Sequence, residues 1–319
     1  MDYIIFDLEW NQSPRTDVNH EQKLPFEIVE IGAVKLNENR EMISEFSELI
    51  KPQIYHEMHF ITSKLVHLQM EELEKGRPFP EVMQQFLEWC GDSPIFCTWG
   101  SLDLLELQRN MKYYNMESLS DGPIKYYDIQ KLFSLAYEDG KSRRTLEYAI
   151  DMMNIKKDIP FHRAFSDAYY TAKVFDAIED PEVLEKYSFD VFEVPKTKDD
   201  EIHIVFSSYD KYISRKFNEK SELLNDKDIM STKCYKCGHT LKKKVKWFTP
   251  NGKHYYAVSF CLRHGYMKSK IRVRKAENFG VYAVKTDKLI SKEEMKLLME
   301  KRDNIIEQRK MKKMSKSEE

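Results

Sequence analysis

Four acids and one histidine in this chain have the types and spacing to build a metal-assisted hydrolytic centre. Asp7-Leu8-Glu9 closes a short apolar run, Tyr3-Ile4-Ile5-Phe6, that reads as a buried strand. Alternation along a strand puts Asp7 and Glu9 on one face and turns Leu8 toward the core. Two acids so placed repel each other unless a cation sits between them, and hard carboxylate oxygens suit Mg²⁺ or Mn²⁺. Alone, the D-x-E pattern is weak, because solvated strand ends produce it often. Two distant segments change its weight. Trp99-Gly100-Ser101-Leu102-Asp103 sets an acid in the first turn of a helix that directly follows a strand. His162-Arg163-Ala164-Phe165-Ser166-Asp167 sets a histidine just before another helix and an acid inside its first turns. Histidine is the side chain best suited to take a proton near neutral pH.

A second cluster carries different chemistry. Cys234-x-x-Cys237-Gly238 is followed by Cys261-x-x-His264, with 23 residues between Cys237 and Cys261. Two such pairs match a tetrahedral structural Zn²⁺, with a redox C-x-x-C or free thiols as the alternatives. His239 and His254 compete with His264 for the fourth position. Between the pairs, Trp247-Phe248 and Tyr255-Tyr256 flank a Pro250-Asn251-Gly252 turn, which has the look of a zinc ribbon. Cys90 and Cys97 fall in a predicted helix and strand and read as core residues. Five cysteines make an odd number for a disulfide framework, so a reducing cytoplasm is the expected location.

These residues need elements to carry them. Strands are expected at Tyr3–Leu8, Phe26–Leu36, Ile43–Ile50 and Ser93–Thr98, with a polar loop from Asn11 to Lys23. A hairpin turn is expected at Asn37–Arg40. Thr62 caps a short helical segment through Gln69, and Val82, Phe86, Leu87 and Cys90 mark one apolar helical face. Further helices are expected at Ser101–Tyr114, begun by a capping-type serine, at Thr145–Met153 and at Ala164–Ile178, with a strand and helix within Tyr126–Tyr137. Strands first, then alternation with helices, predicts a mixed α/β sheet flanked by helices over residues 1–190. Pro195–Asp200 marks a boundary, 191–230 reads as a connector with one apolar strand candidate at Ile202–Phe206, 231–286 as a small cysteine-bearing module, and 287–319 as a charged helix with a disordered tail after about Lys310. Ser291 and Glu294 have capping-box spacing at the start of that helix.

Charge divides along the same line. The net charge is −2, yet residues 191–319 hold 31 Lys and Arg against 18 Asp and Glu, and the preceding residues hold 20 against 35. No acid occurs between Ser231 and Lys275. Lys242, Lys243, Lys244, Trp247, Arg272 and Arg274 are therefore candidates for phosphate contact and base stacking, with a protein partner for this module as the competing use. No run of about 18 apolar residues exists, so no membrane span is expected. Acids interrupt the first apolar stretch and no basic segment precedes it, so no secretory signal is expected.

FDLEW, WGSLD and HRAFSDAYYTA, in that order, resemble the three motifs of the histidine-bearing (DEDDh) branch of the DnaQ-like 3'→5' exonucleases. WG-x-x-D leans toward the ERI-like and KapD-like subgroup. The resemblance covers roughly residues 1–185. It implies a ribonuclease H-like mixed sheet flanked by helices, with the zinc-ribbon-like module appended. It implies that Asp7, Glu9, Asp103 and Asp167 hold two Mg²⁺ or Mn²⁺ ions about 3.5–4 Å apart, and that His162 is the general base. Glu9 would also reach the terminal 3' hydroxyl, and nucleoside 5'-monophosphates would leave from single-stranded 3' ends. Leu8 and Trp10 become candidates for contact with the terminal nucleotides. The motifs do not separate RNA from DNA, with RNA slightly favoured. The alternative is a nucleic-acid-binding or regulatory protein that uses this fold without turnover.

Overall fold

A computed structural model describes residues 2–12, 24–65 and 68–315 of the chain. Most of the loop expected between Asn11 and Lys23 lies outside the described residues. The chain divides into two compact units, Met1–Asp190 and Val191–Glu319.

The first unit is built on β1 (Tyr3–Asn11), β2 (Glu27–Leu36), β3 (Met42–Leu49), β4 (Ile95–Thr98), β5 (Ile124–Asp128) and β6 (Ser188–Asp190), in the sheet order β3-β2-β1-β4-β5-β6. β1 runs antiparallel to β2 and parallel to β4, so the sheet is mixed. Around it stand α1 (Phe60–Leu65), α2 (Met70–Leu73), α3 (Phe79–Cys90), α4 (Leu102–Tyr113), α5 (Ile129–Tyr137), α6 (Leu146–Met152), α7 (Ala164–Asp176) and α8 (Pro181–Leu184). This is the ribonuclease H-like mixed sheet flanked by helices that the sequence predicts.

β1 holds the centre because both its faces are apolar. Ile4, Phe6 and Leu8 pack with residues of α3 and α4, while Tyr3 and Ile5 pack with residues of α5, α6 and α7. Each fully buried aromatic or aliphatic side chain of this kind contributes about 1.5–3 kcal/mol, so a slip of one residue in β1 would forfeit several at once. Local signals start several helices, although Thr62, expected as a cap, lies inside α1. Pro80 lies in the first turn of α3, Asp128 caps α5 by accepting from Lys131 N at 2.9 Å, and Thr145 caps α6 by accepting from Tyr148 N at 3.2 Å. Ser101 departs from expectation. It occupies the N-cap position of α4 but makes no side-chain cap bond.

The second unit is one antiparallel sheet of β7 (Ile202–Val205), β8 (Tyr209–Ile213), β9 (Lys242–Phe248), β10 (His254–Cys261), β11 (Gly265–Lys275) and β12 (Val281–Ile290), ordered β7-β8-β12-β11-β10-β9. The strand candidate in the expected connector is β7, and β8, which the sequence reading did not mark, joins it in the sheet. The cysteine segment is one end of this larger sheet rather than a free-standing ribbon. Helices α9 (Lys220–Asn225) and α10 (Lys227–Met230) supply Leu223 and Ile229 to a core with Ile271 and Ala283 of β11 and β12. Helix α11 (Lys292–Ser315) packs Met295 against Val245, Phe248 and Val258. Its start is the expected capping box, since Ser291 Oγ accepts from Glu294 N and Glu294 Oε2 accepts from Ser291 N, both at 3.1 Å. The helix runs to Ser315, beyond the point where a disordered tail was expected. Among the described residues no helix is long and apolar enough to cross a membrane.

Candidate active site

Asp7, Glu9, Asp103, His162 and Asp167 all line one cleft of about 590 Å³ at the end of β1. Asp7 and Glu9 continue the face of β1 that Tyr3 and Ile5 begin, the face covered by α7. Carboxylate oxygens of Asp7, Glu9 and Asp167 lie within 4.8 Å of one another. Asp103 is outside that group of three but shares the cleft, and it approaches from the first turn of α4. The backbone N–H of Leu8 points at its carboxylate.

Two features of β2 bring α7 this close. Gly32 pairs with Asp7 across the β1–β2 ladder. A Cβ at Gly32 would fall 1.9 Å from the backbone N of Phe165 and 2.1 Å from the carbonyl carbon of Ala164, so the first turn of α7 rests on the bare backbone of β2. Glu30, which pairs with Glu9 across the same ladder, is buried and gripped by Arg163. Arg163 Nη2 donates to Oε1 at 2.7 Å, and its Nε donates to Oε1 and Oε2 at 3.1 and 3.0 Å. This fork ties the residue preceding α7 to the strand beside the acids.

His162 sits exposed at the mouth of the cleft, its backbone in the left-handed region at φ 67°. That turn aims its backbone N–H at the Asp167 carboxylate. The other carboxylate oxygen, Oδ1, is buried and has no hydrogen-bond partner. A buried carboxylate oxygen left bare is costly unless a cation answers it.

The electrostatics say the same. Burial first, then Asp103, Glu9 and Asp167, push the Asp7 carboxyl well above its usual range. Burial, then Asp167, Glu30 and Asp103, raise Glu9 to about 8. Burial raises Asp103 to about 7 against the pull of its own and Leu8's N–H groups. Asp167 is raised as well, by burial. The donor set therefore fits hard divalent cations bound by oxygen. Carboxyls raised in the folded state favour folding fully below the ordinary carboxylate range and lose that contribution as pH climbs through about 7 to 8. Metal-free protein should accordingly show a melting temperature that falls between about pH 5 and about pH 8, with Glu9→Gln flattening the decline. Mn²⁺ should raise the melting temperature more at the upper end. Calorimetry across that range checks this, and a flat or rising profile would remove the electrostatic account.

Other expected contacts are placed differently. Leu8 is 3% exposed and packs in the core, so its side chain is withdrawn from substrate and only its main chain serves the site. Trp10 lines the cleft while packing at 5.4 Å from Phe26. Trp247 is half-buried against the core that α9 and α10 share with β11, its Nε1–H donating to Met230 O at 3.1 Å, so the indole is engaged within the unit rather than offered as a free stacking surface. Arg143 and Gln130 line the cleft and were missed, since neither lies near a motif. Arg163 and Glu30 were also missed as a pair. The clue was an acid inside the otherwise apolar Ile28–Val34 run, which burial obliges to find a partner.

In the second unit, ligand atoms of Cys234, Cys237, Cys261 and His264 lie within 4.8 Å of one another. Cys237 Sγ is 3.7 Å from Cys261 Sγ, and His264 Nδ1 is 3.4 Å from Cys234 Sγ and 3.6 Å from Cys261 Sγ. A tetrahedron with Zn–S of about 2.3 Å and Zn–N of about 2.0–2.1 Å has S···S edges of about 3.8 Å and S···N edges of about 3.5 Å. The set fits zinc. Burial opposes ionisation of Cys261, yet the N–H groups of Arg263 and His264 hold its thiol down at about 6. His239 contacts the Cys237 carbonyl and His254 contacts Asn251 and Arg272, so both competitors are engaged elsewhere.

The exonuclease family of the RNase T type matches residues 4–175, and the chain belongs to that family. Curated relatives include the PolC-type DNA polymerase III of Staphylococcus aureus (strain bovine RF122 / ET3-1) and that of Staphylococcus epidermidis (strain ATCC 12228 / FDA PCI 1200). Each is 22% identical over 174 residues, covering 54% of this chain and 11% of the relative. The match thus spans about a tenth of those proteins. Among solved structures, the nuclease domain of 3'hExo, a DEDDh family member bound to rAMP, is 18% identical with a TM-score of 0.46, over 55% of this chain and 90% of that one. E. coli Exonuclease I in complex with a dA16 oligonucleotide is 12% identical with a TM-score of 0.49, over 81% and 54%.

Proposed function

We propose that the chain is a metal-dependent 3'→5' exonuclease that releases nucleoside 5'-monophosphates from single strands. The observation that carries this is the convergence of Asp7, Glu9 and Asp167 with a bare buried Oδ1 on Asp167, in an exonuclease-family unit. Asp7, Glu9, Asp103 and Asp167 are the residues that would hold the cations. Divalent cations supply the positive charge that lets these acids share one cleft and that offsets charge on the phosphodiester during in-line displacement. An imidazole nitrogen of His162 takes the proton of the attacking water and, being exposed, returns it to solvent. Glu9 orients the terminal 3' hydroxyl, Trp10 bounds the nucleotide, and Arg143 offers a cation to the phosphate from the cleft rim. RNA is favoured over DNA, on the lean of WG-x-x-D toward ERI-like and KapD-like relatives.

The test is a time course with Mn²⁺ on matched RNA and DNA single strands, labelled at either end. A 3' label should leave at once as a mononucleotide, a 5' label should yield a descending ladder, and EDTA should stop both. Internal cleavage, or release of the 5' label first, would contradict the reading. The knuckle is proposed to carry one structural zinc, which elemental analysis of the purified chain should find and Cys237→Ser should abolish.

A further inference from the structure

The cations of the second unit are not scattered over it. In β11, Lys268, Lys270, Arg272 and Arg274 alternate with Met267, Ser269, Ile271 and Val273, and the first three of these intervening residues are fully buried. The four cations therefore share one sheet face, spaced about 6.8 Å apart along the strand. Among the described residues none of the four makes an ion pair. The acids of the sheet, Asp210 and Asp287, stand on the opposite face, where they engage His203 and Lys285. Helix α11 packs on this side against Val258 and Tyr256, the partners of Lys268 and Lys270, so those two lysines are half-buried while Arg272 and Arg274 stay exposed. Lys270 is crowded by Arg272, Lys268 and Lys301. His254, registered against Arg272, lies within the field of Lys270, Lys253 and Arg274. Uncompensated like charges in a row destabilise the free protein, and a polyanion relieves them.

The hairpin that follows adds an aromatic. Ala276 N donates to Gly280 O at 3.0 Å to close the β11–β12 turn. At its tip Phe279 is 71% exposed and held at φ 119°, a conformation uncommon for any side chain but glycine. A strained, exposed ring at the end of a cationic row is the pairing that single-strand binding uses, in which phosphates track the charges and a base stacks on the ring.

We infer that the β11 row, Lys268, Lys270, Arg272 and Arg274, together with Phe279 at the hairpin tip, is a binding track for single-stranded nucleic acid. The choice of nucleic acid over another polyanion rests on the exonuclease reading of the first unit. The experiment separates the two, because binding is measured without turnover.

Full-length protein carrying Asp7→Asn is titrated into a fluorescent 20-nucleotide single strand at several salt concentrations. Arg272→Glu with Arg274→Glu should weaken binding about tenfold or more and make the slope of log affinity against log salt shallower by about 1.4. Phe279→Ala should weaken binding about tenfold and leave that slope unchanged. Lys227→Glu with Lys233→Glu applies the same charge change away from the row and should alter neither. Equal losses in the control pair, or unchanged affinity in the arginine pair, would overturn the track. So would loss of binding to phosphatidylserine vesicles with strand affinity intact. Unchanged affinity in Phe279→Ala would remove the ring from it.

Discussion

Asp7→Asn is expected to lower the rate of nucleotide release by about three orders of magnitude or more, and to raise the melting temperature of the metal-free protein. The first effect follows from the place of Asp7 among the carboxylates. It stands within 4.8 Å of ligand atoms of both Glu9 and Asp167, and the amide that replaces it keeps the volume but loses the charge that would draw a cation. The second effect has the same cause. Burial and four neighbouring acids already hold this carboxyl well above its usual range, so the free protein is destabilised by ionising it. A neutral isostere removes that cost. Opposite signs for activity and stability are the mark of a residue retained for chemistry rather than for folding. Single-turnover kinetics and calorimetry on one preparation test both halves. A variant that is inactive and also less stable would point instead to a structural role.

Gly32→Ala is expected to move both quantities in the same direction. The added methyl would lie 1.9 Å from Phe165 N, a backbone atom that moves only if α7 moves. Overpacking of this kind costs about 1–3 kcal/mol. Displacing the start of α7 by about 1 Å would carry His162 and Asp167 away from β1, a misplacement that costs about a hundredfold in rate. The loss should appear in kcat more than in KM, because the cleft rim formed by Trp99 and Leu102 belongs to other elements. Activity within twofold of the parent would show that the α7–β2 contact does not set the geometry of the site.

These two positions also show how far the sequence could be read. The period of two in Tyr3–Glu9 was enough to place both acids on one face, because strand alternation is local. The helices bearing Asp103 and Asp167 followed from motifs a few residues long. The packing of α7 on Gly32 joins residues more than 130 positions apart, and so does the Arg163–Glu30 fork. No local pattern encodes such contacts. Arg143 reaches the cleft from a loop with no periodicity at all. In the second unit the failure was of another kind. The apolar Ile202–Phe206 run already marked β7, but β8 carries polar residues and its strand character comes from pairing with β12, some 70 residues later. Trp247 read as a stacking residue because lysines surround it in sequence, yet an irregularity in the β9–β10 register turns it against the α9–α10 core while Lys246 stays outside.

The position of β9 at the rim of its sheet gives its lysines a purpose separate from any ligand. A rim strand offers a row of unpaired main-chain groups to any other chain that comes alongside, and fibrillar self-association begins that way. Lys-Lys-Lys-Val-Lys-Trp-Phe puts four ammonium groups along that exposed border, so two copies approaching edge to edge meet mutual repulsion. Replacing the lysines with serine would leave the fold's contacts nearly untouched and make the protein prone to precipitate.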